Sequence, residues 1–215
     1  MMTDTIQHHL TDQLLLAYSA GSLPEAFSLV VAAHVSMCDD CRARLAAHDA
    51  IGGQLLDGAD TAELAEGSFE ACMRRIEAGA PAAAIARPKG VLPAPVQDYV
   101  GGDVEAIRWK NVGMGVRQAQ LSTSREASVR LLYIPAGAAV PDHGHRGTEL
   151  TLVLQGAFRD EGGRYGPGDV EVAGEETEHQ PVAEPGLPCI CLAATDAPLR
   201  FRGLIPRLAQ PFIRI

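Results

Sequence analysis

Four prolines fall within GAPAAAIARPKGVLPAPVQ, residues 79–97. Each proline lacks a backbone N–H and fixes φ, so the run disfavours both regular helix and central strand and predicts a semi-extended tether. The hydrophobic pattern changes across it from helical spacing to alternation. The chain of 215 residues therefore reads as α + β multidomain, with a helical domain at 1–78, a Pro/Ala-rich linker at 79–97 and a strand domain at 98–215.

In the first part, Thr11 is placed to cap a helix carrying Leu14, Leu15 and Tyr18, which Gly21 closes. Pro24 opens a second helix through Phe27, Val30, Val31 and His34, and Asp39 or Asp40 begins a third with Leu45 and Ile51 on its apolar side. A fourth is expected from Thr61, with Leu64, Cys72, Met73 and Ile76 along its apolar stripe and Cys72 in the core. Four small helices make a thin core, and a domain this small benefits from a metal or a partner. Residues 1–78 hold 4 basic and 12 acidic side chains. Such a field repels phosphates and attracts a basic protein surface, so a protein partner fits better than nucleic acid.

After residue 98, short alternating segments separated by turn residues fall at 116–122, 127–134, 149–156, 169–173, 188–193 and 198–203. Many short strands at near-regular spacing predict an antiparallel sandwich or barrel. No apolar run reaches the roughly 18 residues of a spanning helix, and the opening MMTDTIQHHL has no basic start leading into an apolar stretch, so a cytoplasmic location is expected.

His34, Cys38 and Cys41 form H-x3-C-x2-C. Imidazole and thiolate are zinc donors, and C-x2-C lets two sulfurs converge on one ion. In one unbroken helix residues 34 and 41 would stand about 10 Å apart along the axis, so the chain must turn near Cys38. A fourth donor is missing locally, and either His8 or His9 can supply it. A closed four-ligand site of this kind is structural, and oxidation of either cysteine would open it.

GAAVPDHGHRGTELTLVLQG reads G-x5-H-x-H-x3-E-x6-G, with Gly137, His143, His145, Glu149 and Gly156 at the spaced positions. Two histidines two apart share a strand face, and a turn at Arg146–Gly147 lets Glu149 re-enter from the next strand into the same interior. Two imidazoles and a carboxylate then form one side of a metal site. This run resembles the first motif of the cupins, which implies a jelly-roll barrel. The second cupin motif is matched more loosely, by the turn Gly166–Asp169 and by His179 as fourth ligand, at a longer separation and without the usual trailing asparagine. Cys189 and Cys191 point to one face of a single strand and are expected as buried thiols.

From HHLTDQLLLAYSAGSLPEAFSLVVAAH through CDDCRARL to the terminal PFIRI, the whole chain resembles the ChrR type of anti-sigma factor, a zinc-binding anti-sigma domain joined to a cupin-like one. The resemblance implies His9, the second histidine of the pair, as fourth ligand beside His34, Cys38 and Cys41. It also implies zinc in the second site, and a helical domain that wraps and inhibits a group IV (extracytoplasmic-function, ECF) sigma factor. Release in response to singlet oxygen or related oxidants received by the cupin-like domain follows from the same resemblance. A metal-dependent cupin enzyme of dioxygenase or isomerase type is the alternative, but no second catalytic carboxylate, nucleophile triad or phosphate loop accompanies it, and no catalytic residue is assigned.

Overall fold

In a computed structural model, residues 5–79, 90–198 and 200–201 are described. Four helices precede the proline-rich stretch: α1 (Asp12–Ser19), α2 (Glu25–Met37), α3 (Asp39–Asp57) and α4 (Ser68–Glu77). Thr11 caps α1, its hydroxyl accepting from Leu14 N at 3.3 Å, and Gly21 follows in the left-handed conformation at φ 65°. Cys38 is extended at φ −113° and ψ 111°, which separates α2 from α3 at the turn that the knuckle spacing requires. The fourth helix begins at Ser68 behind left-handed Gly67, and Thr61 lies in the irregular segment before it.

Of the expected tether, residues 80–89 lie outside the described residues, and the C-terminal part corrects the expectation of extended chain. Helix α5 (Ala94–Val100) starts there, with Pro93 at the cap and Pro95 in the first turn, where a missing N–H costs no intrahelical bond. Leu92 and Val96 anchor it in the core beside α2, and the Glu25 carboxylate of α2 accepts from Tyr99 Oη at 2.7 Å and Ser124 N at 2.6 Å.

The strands are β1 (Lys110–Gly113), β2 (Val116–Leu121), β3 (Ser128–Ile134), β4 (His143–Gly144), β5 (Glu149–Gln155) and β6 (Phe158–Asp160). They continue with β7 (Gly163–Tyr165), β8 (Val170–Ala173), β9 (Glu178–His179), β10 (Val182–Ala183), β11 (Cys189–Thr195) and β12 (Arg200–Phe201). Among the described residues a six-stranded sheet runs β1-β2-β3-β11-β5-β8, beside two three-stranded sheets, β10-β6-β7 and β12-β4-β9. Every pairing among the described residues is antiparallel. The expected strands from 116 to 193 are present, whereas the very short β4, β6, β7, β9 and β10 carry too few residues for alternation to register.

Alternation divides the large sheet between two cores. Val129, Leu131, Leu150, Leu152, Ile190 and Leu192 face the helices, while Ile134, Val153, Cys189 and Cys191 face the other way with Phe158 and Tyr165. Helix α2 lies directly on β3, β5 and β11, and its Phe27, Val30 and Val31 belong to the same apolar cluster as the outer sheet face. That helix is apolar nearly all round because it is covered nearly all round. Leu14, Leu15, Phe27, Val30 and Val31 thus pack inward, and of the early apolar residues only Leu16 is exposed. Cys72 corrects an expectation too: it is exposed, as α4 has no buried residue. Among the described residues no helix is long and apolar enough to cross a membrane.

Candidate metal centres

At the junction of α2 and α3, donor atoms of His9, His34, Cys38 and Cys41 all lie within 4.8 Å of one another. His9 Nδ1 stands 3.3 Å from Cys38 Sγ and 3.7 Å from Cys41 Sγ. A tetrahedron with N and S donors at 2.0–2.3 Å has an N–S edge of about 3.6 Å, so the spacing suits zinc. His34 is buried, and its Nδ1–H donates to the Gly168 carbonyl at 2.8 Å. The proton is therefore on Nδ1 and the lone pair on Nε2, which is buried without a hydrogen-bond partner among the described residues. Burial lowers its pKa to about 4, keeping the ring neutral as a ligand must be.

The thiols are set by the helix start. Cys38 is the N-cap of α3, its sulfur accepting from Cys41 N at 3.4 Å, so one residue serves as cap and donor. Burial pushes the Cys41 thiol up, while Arg44, 3.8 Å from its sulfur, opposes the shift. His8 turns away: its Nε2–H donates to Arg164 O at 3.1 Å and its ring packs on Tyr165. The pair His8–His9 thus faces two directions, with His9 toward the knuckle, as alternation in extended chain requires.

Inside the barrel, His143, His145 and His179 converge, with ligand atoms within 4.8 Å of one another. His179 Nε2 stands 3.2 Å from both His143 Nε2 and His145 Nε2. The His143 Nδ1–H donates to Pro141 O at 2.9 Å. The His179 Nδ1–H faces Asp160 Oδ2 at 2.9 Å and Glu171 Oε1 at 2.8 Å. Both Nε2 atoms are then acceptors aimed at each other, an arrangement that needs a cation or proton between them. Three imidazoles around one tetrahedral ion at about 2.05 Å give edges of about 3.3 Å, so the donor set fits a metal.

Burial pushes the pKa of His143 and His145 down to about 4. At His179 burial acts in the same direction, but Glu171 and Asp160 outweigh it and raise the value to about 9. Burial lifts Glu171 to about 7, and the hydrogen bonds that Asp160 accepts hold it below its ordinary value against burial. Glu149 sits at the margin. Its Oε2 is 3.9 Å from His145 Nδ1, which has no hydrogen-bond partner among the described residues, and its Oε1 accepts from Thr151 Oγ1 at 3.1 Å. The structure thus brings three of the four expected barrel donors together and leaves Glu149 one step outside them.

Asp160 and Glu171 were missed by sequence reasoning. Their signal is faint: Glu171 is an inward acid between the outward-facing Val170 and Val172, and Asp160 ends β6 beside the turn at Gly162–Gly163. Cys189 and Cys191 are buried free thiols with sulfurs 3.4 Å apart.

Comparison with known proteins follows the same division. A family model described as the ChrR cupin-like domain matches residues 97–197. Among solved structures, SigE of Rhodobacter sphaeroides in complex with the anti-sigma ChrR matches with a TM-score of 0.81 at 57% identity, over 89% of this chain and 100% of that one. An RmlC-like cupin of Ralstonia eutropha shows a weaker likeness, with a TM-score of 0.41 and 22% identity over 48% of this chain and 71% of that one. The anti-sigma-E factor ChrR of Cereibacter sphaeroides is 60% identical over 215 residues, 98% of this chain and all of that protein. With 60% identity across nearly the whole of both chains, the chain belongs to the ChrR family of anti-sigma factors.

Proposed function

We propose that this chain is a regulatory protein that binds a group IV (ECF) sigma factor through a zinc-held helical domain at residues 1–78. It releases that subunit when a cupin-like sensor at 98–215, joined by the stretch 79–97, receives an oxidative signal such as singlet oxygen. The observation that carries the reading is a set of uncovered large apolar side chains on and between α3 and α4. Leu55, Leu56 and Leu64 are 74%, 76% and 80% exposed, and Ile51, Phe69 and Ile76 of α3 and α4 are exposed as well. Six such side chains left uncovered on an acidic domain suit a partner that covers apolar groups and carries basic residues around them. The similar ChrR whose structure is known was solved with SigE, which gives the partner class. Binding to such a factor places the protein in the cytoplasm, with no need of nucleic acid or membrane contact.

Zinc is the ion assigned to His9, His34, Cys38 and Cys41, where four protein donors leave no open position and make the centre a structural clamp. The barrel donors are His143, His145 and His179 with Glu149 alongside, and zinc is assigned there too. When bound, that ion would hold three neutral imidazoles in one geometry. Electron-rich imidazoles are oxidisable, so the barrel suits a sensor. The role is regulation, and no residue is assigned to catalysis.

The test is complex formation between the full chain and a purified ECF sigma factor, measured by size exclusion and titration calorimetry. Wild type is expected to bind tightly. Changing both Leu55 and Leu56 to Asp is expected to weaken binding by at least about 100-fold, the loss of two hot-spot contacts. The melting temperature should stay put, since both side chains are exposed. Absence of a complex with wild type, or undiminished binding by the double variant, defeats the reading.

A further inference from the structure

We propose that the turn at residues 166–170 couples the two metal centres, so that loss of the ion from the barrel weakens the knuckle's hold on its own. The inference rests on the reading that both clusters hold a metal ion, and it concerns what this chain's residues do between them.

The turn serves the first centre at three points. The Gly168 carbonyl accepts the proton of His34 Nδ1 and so aims the ligating Nε2. Asp169 Oδ1 accepts from Gln7 N at 2.6 Å and His8 N at 2.9 Å, fixing the backbone that immediately precedes His9. Val170 N donates to His8 O at 3.1 Å. The turn itself has little slack. Asp169 is buried, its Oδ2 accepts from Gly166 N at 2.8 Å, and Gly168 N donates to Val153 O at 2.8 Å. At Gly168, φ is +92° and an added Cβ would come within 2.6 Å of the Ile6 side chain, so the N-terminal segment lies directly against it.

The next residue, Glu171, belongs to the second centre: its Oε1 takes the Nδ1–H of His179 at 2.8 Å. Three residues from Gly168 to Glu171 span at most about 11 Å of backbone. Outer-shell groups that orient ligating histidines change metal affinity about 10–100-fold when removed. Here the outer-shell groups of two centres are neighbours on one short segment. Any adjustment of Glu171 when His179 loses its ion is passed to the start of β8 and to the carbonyl that aims His34. By linkage the effect is mutual.

Cobalt(II) separates the two centres in the full-length protein, since only the knuckle has thiolate ligands and hence thiolate-to-cobalt absorption. The quantity read is the knuckle's cobalt affinity by chelator competition in four proteins: wild type, His143→Ala/His145→Ala, Asp169→Asn, and the combination. Each of the two altered forms is expected to weaken the knuckle about 10-fold, and the combination to match either alone within about 2-fold, the signature of a shared route. Asp169→Asn keeps one acceptor oxygen for the Gln7 and His8 N–H groups and so guards against loss of the fold. Glu171→Ala, whose carboxylate meets His179 rather than any knuckle ligand, is expected to weaken the knuckle about 10-fold, and Glu171→Gln, which keeps an acceptor for His179, to restore it within about 3-fold. Two bound ions with a knuckle indifferent to His143→Ala/His145→Ala, or effects that multiply in the combination, overturn the coupling alone. Fewer than two ions per chain, or no thiolate absorption, overturns the metal reading beneath it.

Discussion

Cys38→Ser separates the two duties of one side chain. Cys38 caps α3 through the 3.4 Å contact from Cys41 N, and a serine hydroxyl is a better N-cap acceptor than a thiol. The helix start therefore keeps or improves its cap, and what is lost is a zinc ligand. A structural zinc contributes about 10–16 kcal/mol of binding free energy at neutral pH, so one ligand of four is worth roughly 3 kcal/mol. That corresponds to about 150-fold in affinity, against a cap difference below about 1 kcal/mol of opposite sign. In a chain of this length each kcal/mol moves the melting temperature about 2–4 °C, so with zinc limiting, the variant is expected to melt about 6–12 °C below wild type. The assay is differential scanning calorimetry of wild type and variant, each with and without a strong chelator, alongside zinc analysis after dialysis. Chelator should collapse the difference between the two proteins, leaving the variant equal or slightly more stable. Equal zinc affinity in the two proteins, or a gap that persists in chelator, would refute the argument that Cys38 stabilises through an ion.

Gly156→Ala should destabilise the chain by about 2 kcal/mol or more, seen as a lower urea midpoint, because φ there is +68° and the added Cβ would meet Pro188 O at 2.6 Å. Leu192→Ala removes a fully buried side chain between the large sheet and the helices, and an equilibrium denaturation experiment is expected to report a loss of about 2–5 kcal/mol. The metal-free protein should lose stability as pH falls. His34, His143 and His145 have folded pKa values lowered to about 4 from 6.5, so the stability they permit is present above about pH 6.5 and is lost down to about pH 4. His179, raised to about 9, acts in the opposite sense, contributing stability below pH 6.5 that is lost as pH rises through 9. The decisive range is pH 6.5 to pH 4, below the span in which His179 acts: urea midpoints of the metal-free chain that fail to fall there would show that the three histidines are not held neutral by the fold.

Motif spacing made the donor residues legible, because ligand geometry is local: H-x3-C-x2-C forces a turn at Cys38, and H-x-H puts two imidazoles on one face. The partners that aim those ligands were not legible. Gly168 lies 134 residues from His34, and Asp160 and Glu171 reach His179 from other strands, so no spacing rule connects them. The helix starts were readable where a cap acts within one turn, as at Thr11. At α4 the reading failed because a stripe of Leu64, Met73 and Ile76 looks the same whether it faces a core or an absent partner.

The same ambiguity explains why the division between the halves is written in the sequence as a change of period, while the packing ignores it. Helix α2 was expected to serve a small helical core, yet its Phe27, Val30 and Val31 share one cluster with Leu131, Leu152 and Leu192 of the sheet. Periodicity reports that a helix has an apolar face and is silent on what covers it. At roughly 1.5–3 kcal/mol for each large side chain buried, the shared cluster is the main stabilisation available to a helical part whose α4 buries nothing. It follows that α2 is held from both sides, by the metal donors at its C-terminal end and by the sheet along its length. The exposed apolar side chains of α3 and α4 are left as the part of the helical half able to meet a partner without dismantling the core.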